Sequence, residues 1–356
     1  MRRLTQLSAA VCVAALALSA CGSSDKDDDK GSAEKDICKT ADGDGPKIGL
    51  AFDVGGRGDQ SFNDSAYAGL EKAVKEFDAT CMEGEAVKNE PESAREDRLR
   101  QMAEGGATVI IGVGFAYSDS VNAVAPDFED VHFAVVDGYD PDDQPNDNVA
   151  YLGFAEQEGS YLVGAAAATK SETGTIGFVG GVHNDLIKKF EAGYVAGAKA
   201  VNPDIDVKIA YIEESELSGF DDTAGGKAAA TGEFDAGADI VYHASGNSGA
   251  GVFDAAVEAG DGKWAIGVDS DQYLTATAEQ KKHILTSALK RVDVATYDFV
   301  KSVVDGKPLV SYSVYDLKVD GVGYSTSGGF IDDITSDLDA FKEKIISGEI
   351  KVPTAP

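Results

Sequence analysis

The chain alternates short apolar runs with longer stretches in which apolar and polar residues mix at helical spacing. The runs lie at 47–53, 109–113, 133–137 and 149–152, and then at 175–179, 207–212, 239–243 and 264–269. Each is short, rich in β-branched residues and apolar throughout, as strands covered on both faces must be. Between them the spacing predicts helices over 65–77, 93–104, 185–201 and 250–259. Strand–helix alternation of this kind builds parallel α/β sheets. Two successive sets of about four such units suggest two doubly wound lobes with a cleft between them. A single dinucleotide-binding enzyme is the competing architecture, but no strand is followed by a complete G-x-G-x-x-G. Gly112-Val113-Gly114 comes nearest, and Tyr117 occupies its third glycine position.

The first residues break this rhythm and bear on the compartment. Arg2 and Arg3 precede a small, apolar segment from Leu4 to Ala20, which reads as a secretory signal peptide over 1–20 and is too short and Ala-rich for a membrane span. It ends in Leu18-Ser19-Ala20-Cys21, the form of a bacterial lipobox, so Cys21 is the expected lipidation site, carrying diacylglycerol and palmitate. Residues 21–45 are polar and charged and read as a flexible tether. Asp25, Asp27 and Asp29 there resemble a calcium loop, but Lys30 stands where its glycine belongs and Asp36 where its glutamate belongs. The expected localisation is therefore the extracytoplasmic face of the cell membrane, lipid-anchored.

Some 310 residues follow Pro46, more than one core usually covers, so two domains are expected. A formal net charge of -31 disfavours nucleic acid and anionic membrane surfaces as partners. Cys12 leaves with the signal, and Cys38 and Cys81 are then able to pair in an oxidising compartment, or to remain as two thiols. His132, His183, His243 and His283 sit singly, without ligand spacing, so no metal and no cofactor is expected.

Three apolar runs end in an acid: Asp53, Asp137 and Asp269. Ligands of open α/β sheets bind at the carboxyl ends of strands, so these carboxylates are expected to converge on one cleft. A carboxylate only accepts hydrogen bonds, and the implied ligand presents hydroxyls or N–H groups, as a sugar or nucleoside does. The plainer role for any one of them is a cap on the following helix. Glycines cluster at the same ends, Gly246 among them, and admit a ligand close to backbone amides. Gly225-Gly226-Lys227 is no phosphate loop, since Asp221 and Ala228 occupy its required glycine and Ser/Thr positions, and Arg57-Gly58-Asp59 is explained by chance. No nucleophile elbow, zinc helix or Cys/His pairing marks an enzyme, and none is expected.

The fragments Asp53-x-Gly55 with Gln60-Ser61-Phe62-Asn63, and Gln157-x-Gly159-Ser160-Tyr161-Leu162-x-Gly164, resemble the basic membrane protein family of substrate-binding lipoproteins. Further matches follow in order at 176–181, 237–240, 245–251, 266–272 and 285–290. The resemblance implies a type I periplasmic-binding fold, α/β, with two doubly wound parallel-sheet lobes joined by a three-segment hinge. It places an N-terminal lobe at 46–155 plus about 283–310 and a C-terminal lobe at 156–282 plus about 311–356, with the final helix, near 337–347, on the C-terminal lobe. It also implies service to an ATP-driven importer, with a permease and its ATPase as partners and a purine nucleoside as ligand. A base would stack on Phe62 and on a second aromatic, with Tyr242 preferred and Phe220 next. Asp53 and Asp137 match positions that bind the base, Asp269 and Lys290 the pair that holds the ribose diol, and Asn63 lies beside the stacking ring. A sugar-specific importer component and a lipid-anchored ligand sensor share this fold and stay open. The expected chain is a monomer that closes over its ligand.

Overall fold

The structure, a computed structural model, describes residues 36–141 and 146–356. The signal peptide over 1–20, the lipidation site Cys21 and the tether up to Lys35 lie outside the described residues. Among the described residues no helix is long and apolar enough to cross a membrane.

The strands are β1 (Lys47–Ala51), β2 (Thr80–Gly84), β3 (Val109–Val113), β4 (His132–Val136), β5 (Val149–Phe154) and β6 (Thr175–Val182). Then come β7 (Asp206–Glu213), β8 (Ile240–Ala244), β9 (Trp264–Asp269), β10 (Ile284–Lys290), β11 (Ser311–Tyr315) and β12 (Val322–Tyr324). They form two six-stranded sheets, ordered β11-β5-β4-β3-β1-β2 and β12-β10-β9-β8-β6-β7. Every pairing is parallel except that of β12 with β10. Central strands such as β3 and β8 are buried along their whole length, which is why their sequences are apolar without alternation. Each sheet carries a separate apolar cluster on each face, so each lobe has its own core. This is the doubly wound, two-lobed architecture expected.

The chain crosses between the sheets after β5, after β10 and between β11 and β12. The expected return to the first lobe at about 283 is corrected. β10 stays in the second sheet, because its apolar residues need β9 and β12 as neighbours. The return begins with the helix Val292–Val304, which packs on the helix Phe62–Glu76 and hands the Asp293 amide to Ser65 Oγ at 3.1 Å. It extends through β11, beyond the expected limit of 310. The last helix, Thr335–Ile346, lays Phe341 against Tyr161 and buries Leu338 in the second lobe, while Ile345 reaches the first lobe's core.

Cys38 and Cys81 are disulfide-bonded and pin the segment before β1 to the edge strand β2. A second close approach shapes the cleft. The helices Glu156–Lys170 and Asp185–Val201 meet backbone to backbone, and a Cβ on Gly164 or Gly197 would stand 2.1 Å from the Tyr194 carbonyl or 1.9 Å from that of Tyr161. Only glycine permits that contact, and it sets Glu156, Lys189 and Phe190 side by side at the lobe boundary.

Candidate functional site

The carboxyl ends of both sheets face one cavity of about 540 Å³, its mouth included. From the first lobe it is lined by Asp53 after β1, Gly114 and Phe115 after β3, Asp137 after β4, and Asp59, Phe62 and Asn63 at the start of a helix. The second lobe contributes Ile187 and Phe190, Phe220 after β7, Gly246 after β8, Asp269 at the end of β9 and Lys290 at the end of β10. Of the expected site residues, Asp53, Phe62, Asn63, Asp137, Gly246, Asp269 and Lys290 are thus brought together.

Tyr242 is not, and its expected stacking role is corrected. In β8 it sits two residues below the rim, fully buried, tilted against Tyr194 at 5.1 Å and edge-on to Phe178 at 5.6 Å. Its hydroxyl meets Ser160 Oγ at 3.2 Å, which satisfies it inside the core. The cavity's aromatic walls are Phe62, Phe115, Phe190 and Phe220. Phe220 can lie there because Gly181 has no side chain: a Cβ on it would come within 2.5 Å of the ring.

The three acids do not cap helices. Asp53 turns its Oδ1 to the adjacent Val54 amide at 2.8 Å, and Asp137 and Asp269 have left-handed backbones (φ 60° and 62°), a conformation aspartate tolerates better than most residues. Burial pushes Asp53 up to about 7 and Asp269 up to about 6, the latter against the pull of Lys290. Lys290 bonds Asp137 Oδ2 at 2.6 Å, with Glu156 Oε1 at 3.6 Å, all three side chains 4% exposed or less. Burial alone would lower its ammonium, but Asp137, Glu156 and Asp269 together hold it above the ordinary lysine value. Phe62, Phe154 and Phe190 place their ring centroids 5.1, 5.0 and 5.5 Å from Nζ. Asp137 Oδ1 is buried with no hydrogen-bond partner among the described residues.

Asn63 supports the site rather than offering a free amide. Its Oδ1 accepts from the Asp53 amide at 2.9 Å and its Nδ2 donates to Asp59 at 3.0 Å. Sequence reasoning missed Asp59, Glu156, Phe115 and Phe190. Asp59 is the buried helix cap of its loop, so Arg57-Gly58-Asp59 is no exposed tripeptide. The signal for it was available in the spacing of Asp59 before the helix start. No local signal marks Glu156 or Phe190, which reach the cleft through a helix–helix contact.

Residues 47–355 match the family described as ABC transporter substrate-binding protein PnrA-like, Bmp. The chain is 32% identical over 370 residues to the ABC transporter nucleoside-binding protein BmpA of Lactococcus lactis subsp. cremoris, covering 99% of each. It is 35% identical over 355 residues to the CD4+ T-cell-stimulating antigen of Listeria innocua, covering 95% of each. Among solved structures it is similar to a solute-binding protein of an ABC transporter system from Aeropyrum pernix K1. That likeness has a TM-score of 0.76 at 28% identity and covers 87% of this chain and 93% of the other. With its two-lobed fold and a cavity built from both sheet edges, this chain belongs to the PnrA-like Bmp family of ABC transporter substrate-binding proteins.

Proposed function

We propose that the protein captures a purine nucleoside outside the cell and presents it to an ABC permease and its ATPase, held to the membrane by lipid on Cys21. The observation that carries this reading is that Phe62 and Phe220, from opposite lobes, line one cavity with Asp53, Asp137, Asp269 and Lys290. Two phenyl rings suit a planar base. Acceptor-only carboxylates suit its N–H groups and the ribose hydroxyls, and repel a phosphate. Asp137 keeps one buried oxygen for such a donor. The lactococcal relative's name points the same way. The Cys38–Cys81 bond supports an oxidising, extracytoplasmic setting.

Native mass spectrometry of the purified protein, followed by denaturing release, tests this directly. A released nucleoside supports the assignment and names the base, whereas a released sugar removes it. Calorimetry with inosine, guanosine and adenosine should then show Phe220→Ala weakening binding by about 1–3 kcal/mol, the worth of one base–aromatic stack. Tyr242→Phe should leave the affinity unchanged. An unchanged Phe220→Ala variant would end the stacking role.

The acids also fix a pH dependence. Asp53 and Asp269 accept hydrogen bonds as carboxylates, and that form is lost as pH falls through about 7 and about 6. Nucleoside affinity should therefore drop between pH 8 and pH 5, and an Asp53→Asn variant should bind weakly with a shallower profile. A flat wild-type profile would contradict the acceptor role.

A further inference from the structure

Ser61 stands at the start of the helix Phe62–Glu76, where a serine ordinarily turns its hydroxyl to the first helical amides, yet it makes no such bond. Asp59 caps the helix in its place. The Asp59 Oδ1 accepts from the Ser61 and Asp64 amides at 3.0 and 3.1 Å, and its Oδ2 from the Asn63 amide at 2.8 Å. The serine hydroxyl is thereby released. It crosses to the other lobe and donates to Asp269 Oδ2 at 2.6 Å, and Ser270 Oγ returns a bond to the Ser61 carbonyl at 3.1 Å. Ser61 and Asp269 are both buried, so the bond between them is shielded from water.

The loop that presents Ser61 is braced. Gln60 is held at φ 54°, Asp64 accepts from the Gly58 and Gln60 amides at 2.9 and 3.0 Å, and Asn63 ties the loop to the Asp53 amide. One hydroxyl is thus aimed across the cleft by a loop with little freedom to turn it elsewhere. We propose that Ser61 and Ser270 form an interlobe latch, in which Ser61 positions Asp269 and the pair holds the closed form together. Neither serine lines the cavity, so the latch meets the ligand only through Asp269 and holds whichever small molecule the cleft takes. It is made only when the lobes are closed, so its loss acts on the closing equilibrium and on the rate of ligand release.

The test uses the full chain with a fluorophore pair on p-acetylphenylalanine at Glu104 and Ala259, exposed positions on helices of opposite lobes. At pH 8 the interlobe distance is measured in the wild type, Ser61→Ala and Ser270→Ala, first without ligand and then with inosine or guanosine. Ser61→Ala should lower the ligand-free closed-to-open ratio about 10-fold or more, as expected for loss of a hydrogen bond to a charged group, with Ser270→Ala losing less. Where a nucleoside closes the wild type, the variants should release it faster while association changes little. A closed population identical in wild type and Ser61→Ala, or absent from the wild type, overturns the latch. Variants that open while no nucleoside moves the wild type would support the latch and remove the nucleoside reading.

Discussion

Replacing Lys290 by Met should destabilise the protein by about 3–5 kcal/mol, the largest loss expected for any single polar substitution at this site. The lysine is the cation between Asp137 and Glu156, and all three side chains are almost wholly buried. Methionine fills much the same volume among Phe62, Phe154 and Phe190, so the loss would not come from a cavity. It would come from Asp137, left as a buried carboxylate with no cation, since Lys189 reaches only Glu156, at 3.2 Å. Urea unfolding followed through Trp264, the single tryptophan, measures the effect. The double variant Lys290→Met with Asp137→Asn should recover part of the stability, because it removes the stranded charge as well. A single variant within about 1 kcal/mol of wild type would show that these charges are solvated and that the packing alone holds the boundary.

That cluster also marks the limit of what could be read from the chain. Asp53, Asp137 and Asp269 were legible because each ends an apolar run, and strand ends in a parallel sheet share one edge. Phe62 and Lys290 were legible only through the family fragments, since a helix-start aromatic and a strand-end lysine have nothing local to set them apart. Tyr242 misled for a geometric reason: an aromatic near a strand end looks like a rim residue, and a two-residue difference in position decides whether it is rim or core. Phe220 ends a short 3-10 helix, Leu217–Phe220, with no strand signal, and the clue to it was the absence of a side chain at Gly181, which is visible only once β6 and that helix are adjacent.

The strands divide in the same way. Most central ones declare themselves by composition, because burial on both faces favours apolar residues; β10 (ILTSALK) is central too, but its Thr, Ser and Lys hide it. β2 (TCMEG), β11 (SYSVY) and β12 (VGY) are edges, half in water, and their mixed sequences resemble loops. The last two come after the crossover at β10, so missing them also misplaced the lobe boundary. Edge position is a property of the assembled sheet, and no window along the chain contains it.

One buried acid stands outside the site and should govern how stability changes with pH. Glu233, on the helix Thr223–Asp235, packs its carboxyl over Gly177 on β6 beside Val241, where the Phe178 backbone amide is its one polar neighbour and no hydrogen bond of good geometry reaches either oxygen among the described residues. Burial pushes it up to about 9, from an ordinary value near 4.5. The folded chain therefore carries a proton on Glu233 that the unfolded chain has lost, throughout the interval between those values. The sign follows: the native state binds more protons, so stability falls as pH rises, by about 1.4 kcal/mol per unit from this group. Glu233→Gln keeps the shape and removes the titration. The variant should match wild type near pH 4.5, exceed it by about 3 kcal/mol at pH 7, and diverge further towards pH 8.5. Asp53 and Asp269 tilt both curves the same way, so the difference between the curves isolates Glu233. Urea unfolding at pH 5, 6, 7 and 8 reads that difference, and parallel curves would mean that Glu233 ionises in the folded protein with water at its side.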